Sequence, residues 1–366
     1  MMSLRRRFVN LVSSDCRKRV YSLRRIDMSR FFLPTATKNN WRLGGWLLGG
    51  DSTPPMKEGC SLPEPKINLY SPESLNHFGR MDFMLLDKKV VATDGVGGAY
   101  MYDTDMNAVR SLPSHERLKP YAVSVAVDNN LYIIDRITNG SKSRRFESLV
   151  NSDPNPYQHA NWHWQTLPPP PPPPCLQNAD TDTTRIDSCA VVTKQIWFTA
   201  RGRDGVDRCT YSFDTERLAW SDPVDWALPF SGSAEHIPEL RSLWFGISSE
   251  DHGNVFCASN LAAASVSLPP ALHQTLEDDT AVAAKDWTLV SAHSVYLGSG
   301  KFCIARFFNT RTQQICPKSQ RPREVDHNFL VLAGVEVLVT DEGKLRLVKH
   351  QSERYMFDEM EVHWVL

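Results

Sequence analysis

Apolar and polar positions alternate along most of this chain in short runs, without the three-to-four-residue spacing of helices. The runs are rich in Val, Ile, Tyr, Phe and Trp and are separated by Gly, Asp, Asn and Pro, which is typical of β-strands joined by turns. Residues 8–12, 81–86 and 301–308 are clear examples. The pattern predicts an all-β fold with roughly two dozen strands.

A loose module repeats three times between residues 90 and 229. Each copy has an apolar strand, a turn, an aromatic strand ending in Asp, and a further strand that leads to Leu-Pro. The copies begin at Val90, Leu131 and Gln195, and their Leu-Pro pairs are Leu112-Pro113, Leu167-Pro168 and Leu228-Pro229. Asp caps a tight turn, and proline ends a strand because it cannot donate to the ladder. A repeated module of this kind indicates the blades of a β-propeller.

We therefore expect residues 1–366 to form a single kelch-like β-propeller domain of about six four-stranded blades. The first strands, residues 8–12 and 20–26, are expected to share a blade with the C-terminal strands, which removes free sheet edges. A short helix is predicted near residues 270–276. Flexible insertions are predicted near residues 35–65, 168–187, 260–286 and 309–327.

The formal net charge is −1, from 41 basic and 42 acidic side chains, which argues against a chain-wide surface for nucleic acid or an anionic membrane. Residues 1–30 are the exception, because nine Arg and Lys residues stand there against Asp15 and Asp27. A basic, acid-poor start is also found in organellar transit peptides. The strand-like residues 8–12 and 20–26 favour a folded strand pair instead. Nucleic-acid binding by this basic segment is a weaker hypothesis.

The sequence predicts no secretion signal and no transmembrane helix, because no run of roughly 18 apolar residues occurs. The eight cysteines stand singly, without C-x-x-C pairs, and most lie in strands as small hydrophobic residues. We expect a cytoplasmic or nuclear protein, with organellar targeting by the basic N-terminus as the alternative.

Several stretches of the chain together resemble one family. They are residues 7–12, 21–34, 226–230, 237–240, 243–247, 297–308, 334–337, 345–350 and 354–357. The motifs include Trp-Ala-Leu-Pro-Phe at 226–230 and Leu-Gly-Ser-Gly-Lys-Phe at 297–302. They resemble the uncharacterised, grass-expanded plant domain-of-unknown-function family 1668. The resemblance spans almost the whole chain and implies a kelch-like propeller, but it brings no assigned activity or catalytic residue. The proline tract and the Gly-rich stretch near residues 44–50 depart from the family pattern.

Seven consecutive prolines, Pro168 to Pro174, follow an aromatic strand. Such a tract forms a polyproline II rod of about 22 Å, which fits SH3- or WW-type grooves. The competing interpretation is an expanded loop without a partner, and for the tryptophans it is burial in the core. The candidate partner-binding residues are Trp162, Trp164, Pro168, Pro171 and Pro174.

Other motifs that suggest chemistry fail on spacing. His159 and His163 have no Cys or carboxylate at zinc-site spacing. Residues 103–107 begin like a calcium loop, but Ala108 stands where Gly is needed. Residues 95–98 are glycine-rich, but an aromatic strand follows them rather than a helix, so no dipole supports a phosphate site. No catalytic, metal-binding or cofactor-binding residue is predicted.

These observations favour a non-enzymatic protein-interaction scaffold that is monomeric and binds an unknown protein partner, rather than nucleic acid or a membrane. The alternative is a small-ligand-binding or enzymatic propeller that uses its central funnel. That alternative requires several titratable groups or metal ligands to converge on the funnel axis.

Overall fold

The prediction of an all-β fold is confirmed by a computed structural model. The only regular structure besides β-strands in the described part of the chain is short 3-10 helix, as at Met28–Phe31 and Leu261–Ala263. No helix within the described ranges is both long and apolar enough to cross a membrane. The structure describes residues 4–15, 17–32, 56–71, 80–115, 122–139, 145–152, 161–172, 183–202, 208–250, 255–265, 268–276, 287–315, 322–357 and 361–366.

The strands group into antiparallel units of four, here called sheets I to VI. Sheet I contains β1 (Phe8–Asp15), β2 (Val20–Asp27), β4 (Ile67–Tyr70) and β26 (Glu361–Val365), in the order β26-β1-β2-β4. Sheet II contains β5 (Met81–Leu86), β6 (Lys89–Asp94), β7 (Ala99–Asp103) and β8 (Ala108–Leu112). Sheet III contains β9 (Val123–Val127), β10 (Asn130–Ile134), β12 (Phe146–Asn151) and β13 (Trp162–Thr166).

The other three sheets have the same plan, with short additions. Sheet IV contains β14 (Thr183–Val192), β15 (Gln195–Arg201), β16 (Arg208–Asp214) and β17 (Ala219–Trp220), and β11 (Ile137–Asn139) pairs with β14. Sheet V contains β18 (Phe230–Ile237), β19 (Leu243–Ser248), β20 (Phe256–Ser259) and β21 (Leu272–Leu276). Sheet VI contains β22 (Trp287–Gly298), β23 (Lys301–Ile315), β24 (Pro322–Val339), β25 (Leu345–Phe357) and the parallel β3 (Lys57–Cys60). A short parallel pairing of β14 with β18 joins sheets IV and V.

The two ends of the chain meet in sheet I. Strand β1 pairs with β26, and the backbones of Asn10 and Leu366 exchange hydrogen bonds of 2.8 and 2.9 Å. The prediction that the first strands share a sheet with the C-terminal strand is therefore confirmed. The pairing covers an edge of β1 that would otherwise present unsatisfied backbone groups.

Neighbouring sheets share their cores, because each sheet is apolar on both faces. In each shared cluster, residues from two sheets pack together. The pairs are Val12 with Phe83 (I and II), Met101 with Leu149 (II and III), Phe146 with Phe198 (III and IV), Ala190 with Phe230 (IV and V), Phe245 with Phe302 (V and VI), and Leu332 with Leu11 (VI and I). The series of shared cores thus returns to sheet I.

The Leu-Pro pairs are points of attachment between sheets. Trp164 of sheet III donates its indole N–H to the carbonyl of Pro113, which follows sheet II, over 2.9 Å. Trp220 of sheet IV donates in the same way to Pro168, which follows sheet III, over 2.8 Å. Each indole therefore buries its ring between sheets while its N–H is satisfied.

All four predicted insertions contain strand residues in the structure: β3 lies within residues 35–65, and β14 begins within residues 168–187. In place of the helix predicted near residues 270–276, residues 272–276 form the edge strand β21, because pairing with β20 satisfies their backbone. Within residues 309–327, β23 and β24 extend as a hairpin, where Arg311 Nε lies 3.0 Å from Asp326 Oδ1. A two-stranded hairpin needs no apolar face, so its polar composition did not reveal it. The parts of the predicted insertions at residues 35–55, 173–182, 266–267, 277–286 and 316–321 lie outside the described residues.

The closure of sheet I can be tested at Trp364, whose ring lies 5.0 Å from that of Phe83 in sheet II and 6.0 Å from that of Tyr21. We expect Trp364→Ala to lower the free energy of unfolding by about 2 kcal/mol, measured by urea denaturation, because it removes packing between sheets I and II. The control is Tyr70→Ala, since Tyr70 is 73% exposed. An equal effect of the two substitutions would contradict the prediction.

Candidate functional site

A cleft of about 290 Å³ lies between sheets IV, V and VI. Among its lining residues are four arginines from three strands and one connection, and a single acidic residue, Asp187. The arginines are Arg136, Arg185, Arg201 and Arg208. We call this feature the arginine cleft.

Three of the arginines stand side by side across neighbouring strands. Arg185 on β14 is the direct partner of Arg201 on β15, and Arg201 is the direct partner of Arg208 on β16. Adjacent strands lie about 4.8 Å apart, so the ladder holds three guanidinium stems within about 10 Å. Like charges directly opposite each other are destabilising, so this row of arginines requires a compensating group.

Asp187 supplies part of that compensation. Its Oδ2 lies 2.7 Å from Nε of Arg201, and its Oδ1 lies 3.4 Å from Nε of Arg185. The pairing of β14 with β15 shifts register between Ile186 and Ser188, so Asp187 is the extra residue of a β-bulge. Bulges re-aim a side chain beside functional sites, and this one directs the carboxylate between two arginines.

The two other sheets are also irregular at the cleft. Strand β18 shifts register between Ser231 and Glu235, and Gly232 there has a φ of +77°, which favours glycine. Strand β22 shifts register between Leu289 and Ser291, leaving Val290 exposed on the cleft wall. Three strands that line the cleft thus depart from regular pairing there.

Arg136 approaches the cleft from the connection between β10 and β11. Its carbonyl accepts a 2.8 Å hydrogen bond from the Ile186 N–H, which fixes its backbone to β14. Its Nε is buried and has no hydrogen-bond partner in the described part of the chain. Burial lowers the pKa of Arg136, and the Arg185 charge lowers it further. The side chain therefore stands in an unfavourable setting for a cation.

Two titratable groups are coupled to Arg136. Burial lowers the pKa of His293 on β22 to about 4, and the Arg136 charge contributes, so this imidazole is neutral at pH 7. Burial raises the pKa of Asp82 on β5 to about 6, against the lowering effect of the Arg80 and Arg136 charges.

The floor of the cleft is held by a chain of side-chain hydrogen bonds. Thr199 Oγ1 accepts from the Leu228 N–H over 2.9 Å and lies 2.8 Å from Thr210 Oγ1. Thr210 in turn donates to the Trp226 carbonyl over 2.8 Å. The segment that carries the buried Leu228 is thereby fixed against sheet IV, so the floor is preorganised.

The chemistry of this site is that of anion binding. Both oxygens of Asp187 are engaged by arginines, and His293 is a weak base. No group of three or more His, Cys, Asp or Glu side chains is placed to hold a metal ion within the described ranges. Guanidinium groups present rigid forks of donors that match carboxylate and phosphate oxygens.

The partner-binding residues predicted from the sequence lie elsewhere. Trp162 and Trp164 are half-buried on β13 and pack against the core that sheets II and III share. Pro168 is exposed, but its carbonyl accepts from Trp220; Pro171 is half-buried. Pro174 lies outside the described residues. These four described residues do not line the arginine cleft, and their role in partner binding stays a prediction.

Two of the motifs that fail on spacing have other roles in the structure. Asp103 accepts from the backbone N–H groups of Asp105 and Met106, each over 3.0 Å, so residues 103–107 form an acidic turn. His163 Nδ1 lies 2.8 Å from Ser152 Oγ, while His159 lies outside the described residues.

Sequence reasoning missed all four arginines of the cleft, because they are spread over residues 136–208 and form no local motif. One signal was present. A hairpin between the predicted strands at 195–199 and 209–214 places Arg201 opposite Arg208 if its pairing extends by a few residues.

The cost of burying Arg136 predicts a stabilising substitution. Arg136→Met keeps the stem and removes a cation whose burial outweighs the attraction of Asp187 and Asp82, so we expect the free energy of unfolding to rise by about 1 kcal/mol without ligand. Urea denaturation measures it. The control is Arg217→Met, at the far end of the β16 hairpin, where the side chain is 86% exposed and a change within about 0.5 kcal/mol is expected. Clear destabilisation by Arg136→Met would contradict this account.

The pH dependence of stability should separate His293 from Asp82. Between pH 6.5 and about 4 the unfolded chain protonates His293 while the folded protein does not, so stability is lost as pH falls. Between about 6 and 3.8 the folded protein holds a proton on Asp82 that the unfolded chain lacks, so stability is gained as pH falls. We expect His293→Gln to lose less stability than wild type between pH 7 and 4, and Asp82→Asn to lose more. Urea titrations across this range test it, and shifts of the same sign would refute the assignment.

Comparison with known proteins identifies a family but no individual relative. No curated protein was found to match the chain. The sequence profile of a family described as "Protein of unknown function (DUF1668)" matches residues 6–355, which include every residue of the arginine cleft. The protein therefore belongs to the DUF1668 family of proteins of unknown function.

Proposed function

We propose that this protein is a non-enzymatic interaction scaffold of kelch-like propeller type, and that its arginine cleft receives an acidic group of a protein partner. The observation that carries the proposal is the convergence of Arg136, Arg185, Arg201 and Arg208 on one cleft with a single carboxylate. Arginine is the residue that anchors interfaces and pairs with carboxylates bidentately.

A propeller of six blades is supported by the packing of the sheets. Each sheet shares one core with the sheet before it and another with the sheet after it, and the series returns to sheet I. In a propeller the first strand of each blade faces the central funnel. Strands β14, β18 and β22 are the first strands of sheets IV, V and VI, so in a propeller of this kind the cleft would lie at the funnel.

Binding fits the site better than catalysis does. A general base needs a pKa near the working pH and a free lone pair. Asp187 has both oxygens committed to arginines, and the pKa of His293 is lowered to about 4. The alternative of a small-ligand-binding propeller uses the same cleft. The volume of about 290 Å³ has room for a small anion.

The proposal predicts a charge-dependent peptide interaction. A fluorescein-labelled peptide of alternating Glu and Ser should bind about 10-fold more tightly than its Gln counterpart, and added salt should weaken it. Fluorescence anisotropy at fixed ionic strength measures both affinities.

The matched variants are Arg208→Glu and Arg217→Glu, at opposite ends of the β16 hairpin. Arg208→Glu places a carboxylate opposite Arg201, so it is compatible with folding, and we expect it to weaken the Glu peptide about 10-fold. Arg217→Glu should leave the affinity unchanged. Equal binding of the Glu and Gln peptides, or equal effects of the two variants, would rule the proposal out.

A further inference from the structure

The arginine cleft carries more positive charge than one carboxylate can balance. Its lining residues include four guanidinium groups and one carboxylate, which leaves three positive charges while His293 is neutral. A Glu or Asp side chain of a partner brings a single negative charge. A phosphomonoester brings about −1.5 to −2 at pH 7. The charge of the cleft therefore matches the phosphate group better.

The arrangement of the arginines also favours a tetrahedral group. Arg185, Arg201 and Arg208 stand on three consecutive strands, and Arg136 comes from the connection before β11. A planar carboxylate has only two oxygens, both of which a single arginine fork can engage. A phosphomonoester presents three strongly accepting oxygens that point in different directions. Donors that converge from several strands can use all of them.

Unsatisfied polar groups occur at the same place. Arg136 Nε and Ser188 Oγ belong to cleft-lining residues, are buried, and have no hydrogen-bond partner among the described residues. Buried groups without partners are rare in folded proteins and call for a reason. A side chain kept at the expense of stability is typical of a binding site.

The rest of the cleft suits a short organic arm on the phosphate. Leu228 and Phe230 are buried at the floor, and Val290, 66% exposed, stands on the wall. A volume of about 290 Å³ holds a phosphate with a few carbon atoms. A nucleic-acid strand needs an extended basic track instead.

We infer that the arginine cleft is a receptor for a phosphomonoester group, carried by a phosphorylated side chain of a protein partner or by a small phosphorylated molecule. Arg185, Arg201 and Arg208 hold the phosphate oxygens, and Arg136 closes the site from the opposite side of β14. The inference rests on the proposed function and specifies the chemistry of its ligand.

The test compares five probes on the full chain by isothermal titration calorimetry at fixed ionic strength. Three are one short neutral peptide with phosphoserine, Glu or Ser at its central position. The others are free O-phosphoserine and a short single-stranded DNA. We expect the phosphoserine peptide to bind at least about 10-fold more tightly than the Glu peptide, with the Ser peptide weaker still. This comparison needs no variant, so it does not depend on how a substitution affects folding.

A conservative variant separates the contribution of the bidentate guanidinium hydrogen bonds from that of positive charge alone. Arg208→Lys keeps the charge and loses the guanidinium fork, so we expect it to weaken the phosphoserine peptide about 5-fold and the Glu peptide much less. Arg217→Lys is the matched control and should change neither affinity.

The outcomes are distinct. If the phosphoserine peptide binds more tightly than both the Glu peptide and free O-phosphoserine, a phosphorylated protein partner is supported. If the phosphoserine peptide and free O-phosphoserine bind equally, and both more tightly than the Glu peptide, a small phosphorylated ligand is supported. Equal or tighter binding of the Glu peptide overturns the inference and leaves the proposed function standing. Tighter binding of the DNA than of the phosphoserine peptide overturns the inference. If none of the probes binds, both the inference and the proposed function are overturned.

Discussion

Every sheet of this protein has two apolar faces, and that constraint organises the molecule. A sheet that is apolar on both sides needs a neighbour on each, and an open row of such sheets leaves two faces exposed to water. The chain removes both by returning its last strand to its first: β26 completes sheet I, and sheet I then shares one core with sheet II and another with sheet VI. The burial of Val12 and Leu11, neighbours that point to opposite faces of β1, shows both contacts within two residues.

Because of this packing, polar and charged side chains are tolerated at the ends of the strands rather than in the shared cores. Core positions are set by two sheets at once, so a polar substitution there is costly. At the arginine cleft, the pairing of β14, β18 and β22 is instead irregular. The irregular pairing and the unusual charges coincide because a bulge releases a strand from strict alternation.

The strands could be predicted from the sequence because the alternation of apolar and polar residues involves only neighbouring positions. Residues 81–86 are predicted and observed as one strand, and the Leu-Pro pairs were recognised as strand ends. Their bonds to Trp164 and Trp220 were not predictable, since they join residues about fifty positions apart. The cleft was missed for the same reason: only the register of neighbouring strands brings Arg136, Arg185 and Arg208, which are distant in sequence, into one cleft. The helix predicted near residues 270–276 was wrong because pairing at a sheet edge outweighs local preference.

The ladder of arginines differs from an ordinary cluster of surface charges in that the backbone positions from which the stems start are fixed next to one another. Exposed arginines on flexible stems move apart and become hydrated, so their repulsion is small. Here the backbone pairing of β14, β15 and β16 fixes the positions of Arg185, Arg201 and Arg208, and Asp187 already spends both of its oxygens on two of them. The stems can turn away from one another only from starting points that strand pairing keeps about 4.8 Å apart. The repulsion that remains is therefore relieved most readily by a negative group from outside the chain, and the same rigidity that maintains the repulsion keeps the donors arranged for that group.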